Sequence, residues 1–473
     1  RLSILDLSSK GNQPFRFGKL ILAFNGELYN YLEVAAELSS FGYTFQSSSD
    51  TEVLIKAFHC WGPESVKKFI GMFAFSVYNC DSKEIFLFRD RMGVKPLYYT
   101  LENGFAFASE LRFIRKLKSS LVLDPIALHR YFQFGYVPGE HTIFKGVKKL
   151  RPGHLLRYHN GTCEIRRWWN AKPEVQAAPV EDEEERESRL EALLISAFNY
   201  RMVADVPVGV FLSGGIDSSL LVTLLQNNSG KRIRTFTIGF DDKSVDETHF
   251  ARVVAENLKT DHTDYIIDVG QAKELFDQFY QIYDEPFSDT SGIPMALISG
   301  LAKKNGVKVV LSADGADEIF GGYPHYVRIN RWINVLGRWP SWLESIAGRA
   351  ISKTALNQLS VGNLQHRIDR FSELLQADDV VSIFQAAICN QSNRSVSKLT
   401  GNSIVTPSLL QETADSPQEM MMAWDLQFYL PDDLLMKVDR ATMFNSIEGR
   451  EPFLDHRIFE YSKTIPMSYK IDD

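Results

Sequence analysis

Apolar and polar positions follow two rhythms along the chain, and the change falls near residues 170–186. Before it the apolar runs are short. Residues 20–24 form one such run, ending at Asn25-Gly26, a turn pair that predicts a hairpin. Residues 72–78 and 85–88 are β-rich runs around Asn79, Cys80 and Asp81, and residues 97–100 and 105–108 flank Asn103-Gly104, a second hairpin signal. Asp50 precedes a helical stretch over 51–58 and reads as its N-cap. Strands with a few helices predict an α+β domain.

After the change, Leu190, Leu193, Leu194, Ala197 and Phe198 recur at helical spacing. Residues 206–212 are an apolar run too short for a helix, followed by a loop and helix over 213–226. Strands predicted at 233–238, 262–269 and 307–311 alternate with helices at 246–258 and 293–304. That alternation predicts an α/β domain, a parallel sheet covered on both faces. Between the two rhythms, a Pro/Ala-rich stretch and the acidic run Glu181-Asp182-Glu183-Glu184-Glu185 read as an exposed linker. The expected division is 1–169, a linker at 170–186, and 187–473. Residues 325–430 look mostly helical and polar and carry no readable motif.

Composition narrows the function. The 473 residues include 52 basic and 59 acidic side chains, a net charge of −7. That balance argues against a general nucleic-acid binder but not against binding one nucleotide. The four cysteines, Cys60, Cys80, Cys163 and Cys389, are too sparse for a disulfide scaffold, and a reducing, cytoplasmic setting is expected. No apolar run is long enough for a membrane-spanning helix, so neither membrane nor nucleic acid is an expected partner. The chain opens without Met or a leader pattern and reads as a piece of a longer one.

Chemistry concentrates in two segments. Ser213-Gly214-Gly215-Ile216-Asp217-Ser218-Ser219 follows a buried strand and opens a helix, so backbone N–H groups and the positive helix end aim at one spot. Gly214 and Gly215 would let an anion approach the backbone, and Ser213 and Ser218 add hydroxyl donors. An acid does not attract an anion, so Asp217 makes sense as a Mg²⁺ ligand beside polyphosphate. Rival motifs fail: Gly18-Lys19 is followed by Leu20 and Gly230-Lys231 by Arg232, no Gly-x-Gly-x-x-Gly occurs, and Phe211 spoils a hydrolase elbow around Ser213. The second segment, Ser312-Ala313-Asp314-Gly315-Ala316-Asp317-Glu318, follows another predicted parallel strand. The two should face each other across the crevice at the strands' carboxyl ends. Asp317 could then share Mg²⁺ with Asp217, leaving Asp314 free as a base.

These segments, together with residues 430–440 and 452–457, resemble the synthetase half of glutamine-dependent asparagine synthetases. Residues 1–4, 25–30, 49–52 and 89–99 resemble the glutaminase half of that family. The resemblance implies an N-terminal-nucleophile hydrolase, a four-layer αββα sandwich, ahead of a parallel-sheet ATP pyrophosphatase domain. It maps Arg1 to the glutamine α-carboxylate, Glu27 and Asp50 to its α-amino group, and Asn25 with the Gly26 N–H to an oxyanion hole. From the residues alone Asn25-Gly26 remains a turn. The family's nucleophilic cysteine would lie several dozen residues upstream of Arg1, and its basic C-terminal segment beyond Asp473.

The implied reaction hydrolyses glutamine to glutamate and ammonia. ATP activates a carboxylate as an acyl-adenylate, and ammonia attacks it. ATP contacts would come from Leu212, Ser213, Gly214, Gly215, Asp217, Ser218, Ile238, Ser312, Ala313 and Gly315, with Leu212 and Ile238 against adenine. Asp314 would deprotonate ammonia, and Lys437 would hold phosphate or the acceptor carboxylate. The leading acceptor is aspartate, giving asparagine. A surface-polysaccharide uronic acid is the alternative within the class, and a non-catalytic nucleotide-binding paralogue the alternative outside it; a homodimer stays open. Asp314 stands where the family often has Glu, Ala313 where Gly is common, and Glu451 where an apolar residue is usual.

Overall fold

The structure, a computed structural model, describes residues 4–118, 121–170, 182–241, 246–336, 369–377, 379–401, 414 and 416–471. Arg1 lies outside the described residues, as does most of the 170–186 stretch.

In the first half the strands are β1 (Phe15–Phe17), β2 (Leu20–Leu28), β3 (Gly71–Asn79), β4 (Glu84–Arg89), β5 (Tyr98–Thr100), β6 (Ala106–Ala108), β7 (Val147–Lys149), β8 (His154–His159) and β9 (Thr162–Arg167). They build two antiparallel sheets, ordered β1-β2-β3-β4-β8-β9 and β6-β5-β7. Successive side chains on a strand point to opposite faces, and the cores show where each face goes. Phe73, Phe75, Val77 and Phe88 pack with Val34, Leu38, Val53 and Leu54 from the helices Tyr31–Ser40 and Asp50–Trp61. Their neighbours Ala74 and Leu87 pack with Leu97, Tyr99 and Leu156, joining sheet to sheet. Tyr98, on the far face of β5, meets Leu111 and Ile114 of the helix Leu111–Leu117. The layers are helix, sheet, sheet, helix: an αββα sandwich of the N-terminal-nucleophile hydrolase type.

The hairpin expected at Asn103-Gly104 is present, with φ of 51° and 99° and Tyr98 paired to Ala108. The turn expected at Asn25-Gly26 is not. β2 runs through it to Leu28, pairing Asn25 with Ala74 and Gly26 with Phe73. Gly26 sits at φ 137°, and a Cβ there would lie 2.0 Å from the Met72 carbonyl oxygen. The glycine serves a close approach of two strands, not a reversal. The cap of the second helix is Ser49, whose Oγ accepts from the Thr51 N–H, and Asp50 is the first helical residue.

In the second half β10 (Val208–Phe211), β11 (Arg234–Phe240), β12 (Asp261–Ile267), β13 (Val309–Leu311) and β14 (Glu448–Arg450) form a parallel sheet ordered β12-β11-β10-β13-β14. One face packs on Leu194, Phe198, Leu221 and Ala251, and the other on Ile298, Ala302 and Ile447. Helices cover both faces, as the alternation predicted. The acids Glu183–Glu185, read as linker, are instead the first turn of the helix Glu183–Arg201. Asp182 caps it through the Glu185 N–H, an arrangement that suits the positive helix end.

Within 325–430, the described elements are helical, as expected, including Val380–Ile388 and Pro417–Trp424. A feature the pattern did not disclose follows: Asp425–Leu434 is a π-helix with Pro431 inside it. The two halves meet through buried ion pairs, Lys95 with Asp439 at 3.1 Å and Lys149 with Asp432 at 2.9 Å.

Candidate active site

β10 neighbours β11 on one side and β13 on the other, so the sheet changes its winding direction there. Open parallel sheets leave a crevice at such a point, beyond the strands' carboxyl ends. A cavity of about 550 Å³ occupies it. Its lining includes Leu212, Ser213, Gly215, Asp217, Ser218 and Ile238 from one side and Ser312, Ala313, Asp314, Gly315 and Asp317 from the other. The two segments singled out in the sequence do face each other.

The first loop is held by its own hydroxyls. Ser213 Oγ and Ser218 Oγ are 2.9 Å apart, the Ser213 N–H donates to Ser218 Oγ at 3.2 Å, and the Gly215 N–H to Ser213 Oγ at 3.2 Å. The helix Ile216–Asn227 opens on Gly215 without a side-chain cap, leaving its first N–H groups to an anion. Gly214 departs from expectation. It is not among the lining residues; its φ is 85°, and a Cβ would lie 2.6 Å from Phe250 Cβ and 2.7 Å from the Ala251 nitrogen. Its missing side chain makes room for a neighbouring helix rather than for the anion.

Asp314 is not free. Its Oδ1 lies 3.6 Å from Lys437 Nζ, and its Oδ2 accepts from the Ser312 hydroxyl. The same ammonium lies 3.7 Å from Asp289 Oδ2. Burial alone would lower the Lys437 pKa, but the charges of Asp314, Asp289 and Asp433 outweigh it and the net shift is upward. Asp289, in the turn before the helix Gly292–Lys304, was missed in the sequence; only the polar cluster Ser288-Asp289-Thr290-Ser291 marked it. Tyr323 was missed as a lining residue too, and its hydroxyl donates to the buried Glu318 at 2.6 Å.

Asp217 and Asp317 make no ion pair among the described residues. Burial raises the Asp217 pKa. Burial, then the charges of Asp217 and Asp314, pushes Asp317 up to about 6. Two neighbouring acids without an ion pair among the described residues, beside an open helix N-terminus, would suit a divalent cation. Among the described residues no three acidic, His or Cys side chains form a cage of their own. Mg²⁺ with one or two carboxylates takes its remaining ligands from phosphate and water, so the donor set suits it.

In the first half, Asp50 Oδ2 accepts from the Leu28 N–H at 3.0 Å, at the end of the strand that carries Asn25, Gly26 and Glu27. Asn25 Nδ2 reaches Ser109 Oγ at 3.5 Å. Glu27, only 2% exposed, lies 3.9 Å from the Arg450 guanidinium on β14 of the other half. Sequence spacing gave no sign of that link.

The family model for asparagine synthase matches residues 189–473, and that for a glutamine amidotransferase domain matches residues 1–169. The chain is 34% identical over 470 residues to a putative glutamine-hydrolysing asparagine synthetase of Methanocaldococcus jannaschii, covering 94% of this chain and 88% of that one. It is 31% identical over 491 residues to asparagine synthetase 1 of Bacillus subtilis, covering 99% and 74%. A Gibberella zeae protein named an amidase is 28% identical over 506 residues, covering 100% and 74%. The chain therefore belongs to the asparagine synthase family, with a glutamine amidotransferase domain ahead of the synthase domain.

Proposed function

We propose that the protein is an ATP-dependent amide ligase that adenylates a carboxylate and amidates it with ammonia derived from glutamine. Aspartate is the leading acceptor and asparagine the product. The observation that carries this reading is the convergence on one cavity of an uncapped helix N-terminus, Asp217 and Asp317, which make no ion pair among the described residues, and Asp314, which pairs with Lys437.

The geometry of the crevice supports the following roles. Leu212 and Ile238 take the adenine. Ser213, Gly215, Ser218 and the helix N-terminus receive the pyrophosphate, with Ser312, Ala313 and Gly315 opposite. Asp217 and Asp317 would hold Mg²⁺, which supplies charge neutralisation for the polyphosphate. An acceptor carboxylate oxygen attacks the α-phosphorus and pyrophosphate leaves. Ammonia then attacks the acyl carbon and AMP leaves. Asp314, held beside Lys437, orients the ammonia and receives a proton as positive charge develops on nitrogen.

In the first half, Asn25 and the Gly26 N–H are the oxyanion donors, Glu27 and Asp50 hold the glutamine α-amino group, and Arg1 its carboxylate. A cavity of about 20 Å³, lined by Tyr29, Met72 and Arg91 of one half and by Arg201, Glu451 and Leu454 of the other, supports a passage for ammonia between the halves. Burial pushes the Glu451 carboxyl up to about 8.

The test supplies ATP, Mg²⁺, an ammonium salt and aspartate, and measures AMP and asparagine. AMP formation with a uronic acid and none with aspartate would move the acceptor to the polysaccharide class. Relatives named as amidases rather than asparagine synthetases support testing acceptors other than aspartate.

A further inference from the structure

A further cavity, of about 230 Å³, shares no lining residue with the crevice or with the small cavity between the halves. Its lining comes from the helix Glu183–Arg201, from Ile465 and the short helix Met467–Lys470, and from Phe320. Phe320 is the last residue of the helix Ala316–Phe320, whose Asp317 and Glu318 line the crevice. One short helix therefore closes this cavity with its end and serves the crevice with its middle. The next residue tightens the connection. Gly321 has a φ of 78°, and a Cβ there would lie 2.8 Å from Ile471, the neighbour of Lys470.

The lining divides by chemistry. Leu190, Phe320 and the buried Ile465 supply aliphatic and ring carbon. Lys470 and Arg186 supply positive charge. Arg186 is engaged, its guanidinium lying over the Tyr469 ring, 4.4 Å from the centroid. Lys470 is only partly exposed, and it makes no hydrogen bond or ion pair among the described residues. Burial, then the like charge of Lys463, lowers its pKa to about 8 against the pull of Glu419, so the ammonium stays charged at neutral pH with its burial incompletely offset. Glu183 and Glu187 also border the space, but both are exposed, where water and salt screen them. An apolar wall with a few charged groups to fix orientation is the usual make-up of a small-molecule site.

We infer that this cavity is an effector site for a small apolar carboxylate, whose charged end pairs with Lys470 and whose carbon body packs on Leu190, Phe320 and Ile465. Inorganic phosphate offers no apolar surface to that wall, and an amine would meet two cations. A ligand resting on Phe320 holds the helix that presents Asp317, so binding here tightens Mg²⁺–ATP in the crevice, and by the same factor Mg²⁺–ATP tightens the carboxylate.

Calorimetry on the full chain with benzoate, benzamide, benzylamine, acetate and inorganic phosphate tests the assignment. Benzoate is expected to bind saturably, with a dissociation constant of about 1 mM or below. The others should bind at least about 10-fold more weakly, since each lacks either the negative charge or the apolar body. Lys470→Gln should weaken benzoate by about 10-fold or more, with the melting temperature and the affinity for Mg²⁺–ATP alone unchanged. At saturating benzoate, Mg²⁺–ATP should bind about 5-fold tighter, a gain that Lys470→Gln abolishes. No saturable benzoate binding, benzamide or phosphate binding as well as benzoate, benzoate binding that survives Lys470→Gln, or an unchanged affinity for Mg²⁺–ATP would each overturn the proposal. The comparison of probes on the wild-type chain decides the matter even where the variant fails to fold. None of these measurements requires turnover, so they stand apart from the outcome of the ligase assay.

Discussion

Asp90 in the first half and Asp433 in the second are both nearly sealed from solvent, at 1% and 9% exposure, yet they are treated in opposite ways. The Asp90 carboxylate accepts from the N–H groups of Met92, Gly93, Val94 and Lys95 across the turn after β4, and from Phe73 on β3. Beside it, the Arg89 guanidinium donates to the carbonyls of Gly93, Lys95 and Leu150. Every polar atom has an answer from the backbone, and the pair is architecture. Among the described residues, Asp433 Oδ1 has no hydrogen-bond partner, and Asp217 and Asp317, close enough for one charge to act on the other, make no ion pair. A buried acid with its donors present holds a fold together, whereas one without them waits for a ligand.

The sharpest break in this contrast would come from Asp217→Asn. Loss of acceptor-dependent ATP–pyrophosphate exchange by at least about 100-fold is expected, with a melting temperature at or above wild type. Exchange at near wild-type rate with Mg²⁺ present would make Asp217 as architectural as Asp90. Asp90→Ala should do the reverse. It strands five N–H groups, and a cost of about 3 kcal/mol or more is expected in urea unfolding of the first half. A change below about 1 kcal/mol would show that the turn does not depend on the carboxylate.

Asp317→Asn tests the cost of the uncompensated charge. Its carboxyl is raised from 3.8 to about 6, so the folded protein holds the proton more tightly than the unfolded chain. Asp317 therefore lowers stability progressively as pH rises from about 4 to about 6, and the full penalty stands above that window. The neutral amide should stabilise the ligand-free protein at pH 7 by about 1 kcal/mol, discounted for partial exposure. In wild type, Mg²⁺-dependent ATP binding should weaken as pH falls below about 6, since a protonated acid does not ligate. Calorimetry across pH 5 to 8, as the test range, reads both; flat binding would detach Asp317 from the metal. The smallest effect belongs to Asp182→Ala, which removes an exposed helix cap. A loss of about 0.5–1 kcal/mol is expected with unchanged ATP–pyrophosphate exchange. A fall in exchange would tie that helix to the crevice.

Legibility followed the range of the interactions. The loop at 213–218 and the segment at 312–318 could be found because each is contiguous and its geometry is local: a strand end, a turn, a helix start. The periods of the second half likewise disclosed its parallel sheet, whereas the four layers of the first half were implied only by the family resemblance. Asn25-Gly26 misled because its composition suits a turn, while its actual conformation answers to Met72 on the partner strand. Gly214 misled for the same reason, its neighbour being Phe250.

The sequence by itself determined two domains, a parallel sheet with a crevice at its strand ends, and the acids that line it, because backbone periodicity and turn chemistry act over a few residues. Only the tertiary structure decided which acids have partners. Lys437 meets Asp314 and Asp289 across more than 100 positions, and Glu27 meets Arg450 across more than 400. Asp433, whose Oδ1 has no hydrogen-bond partner among the described residues, sits on a π-helix whose register no pattern announced. Burial and charge pairing are properties of what surrounds a side chain, and those surroundings exist only once distant segments have packed.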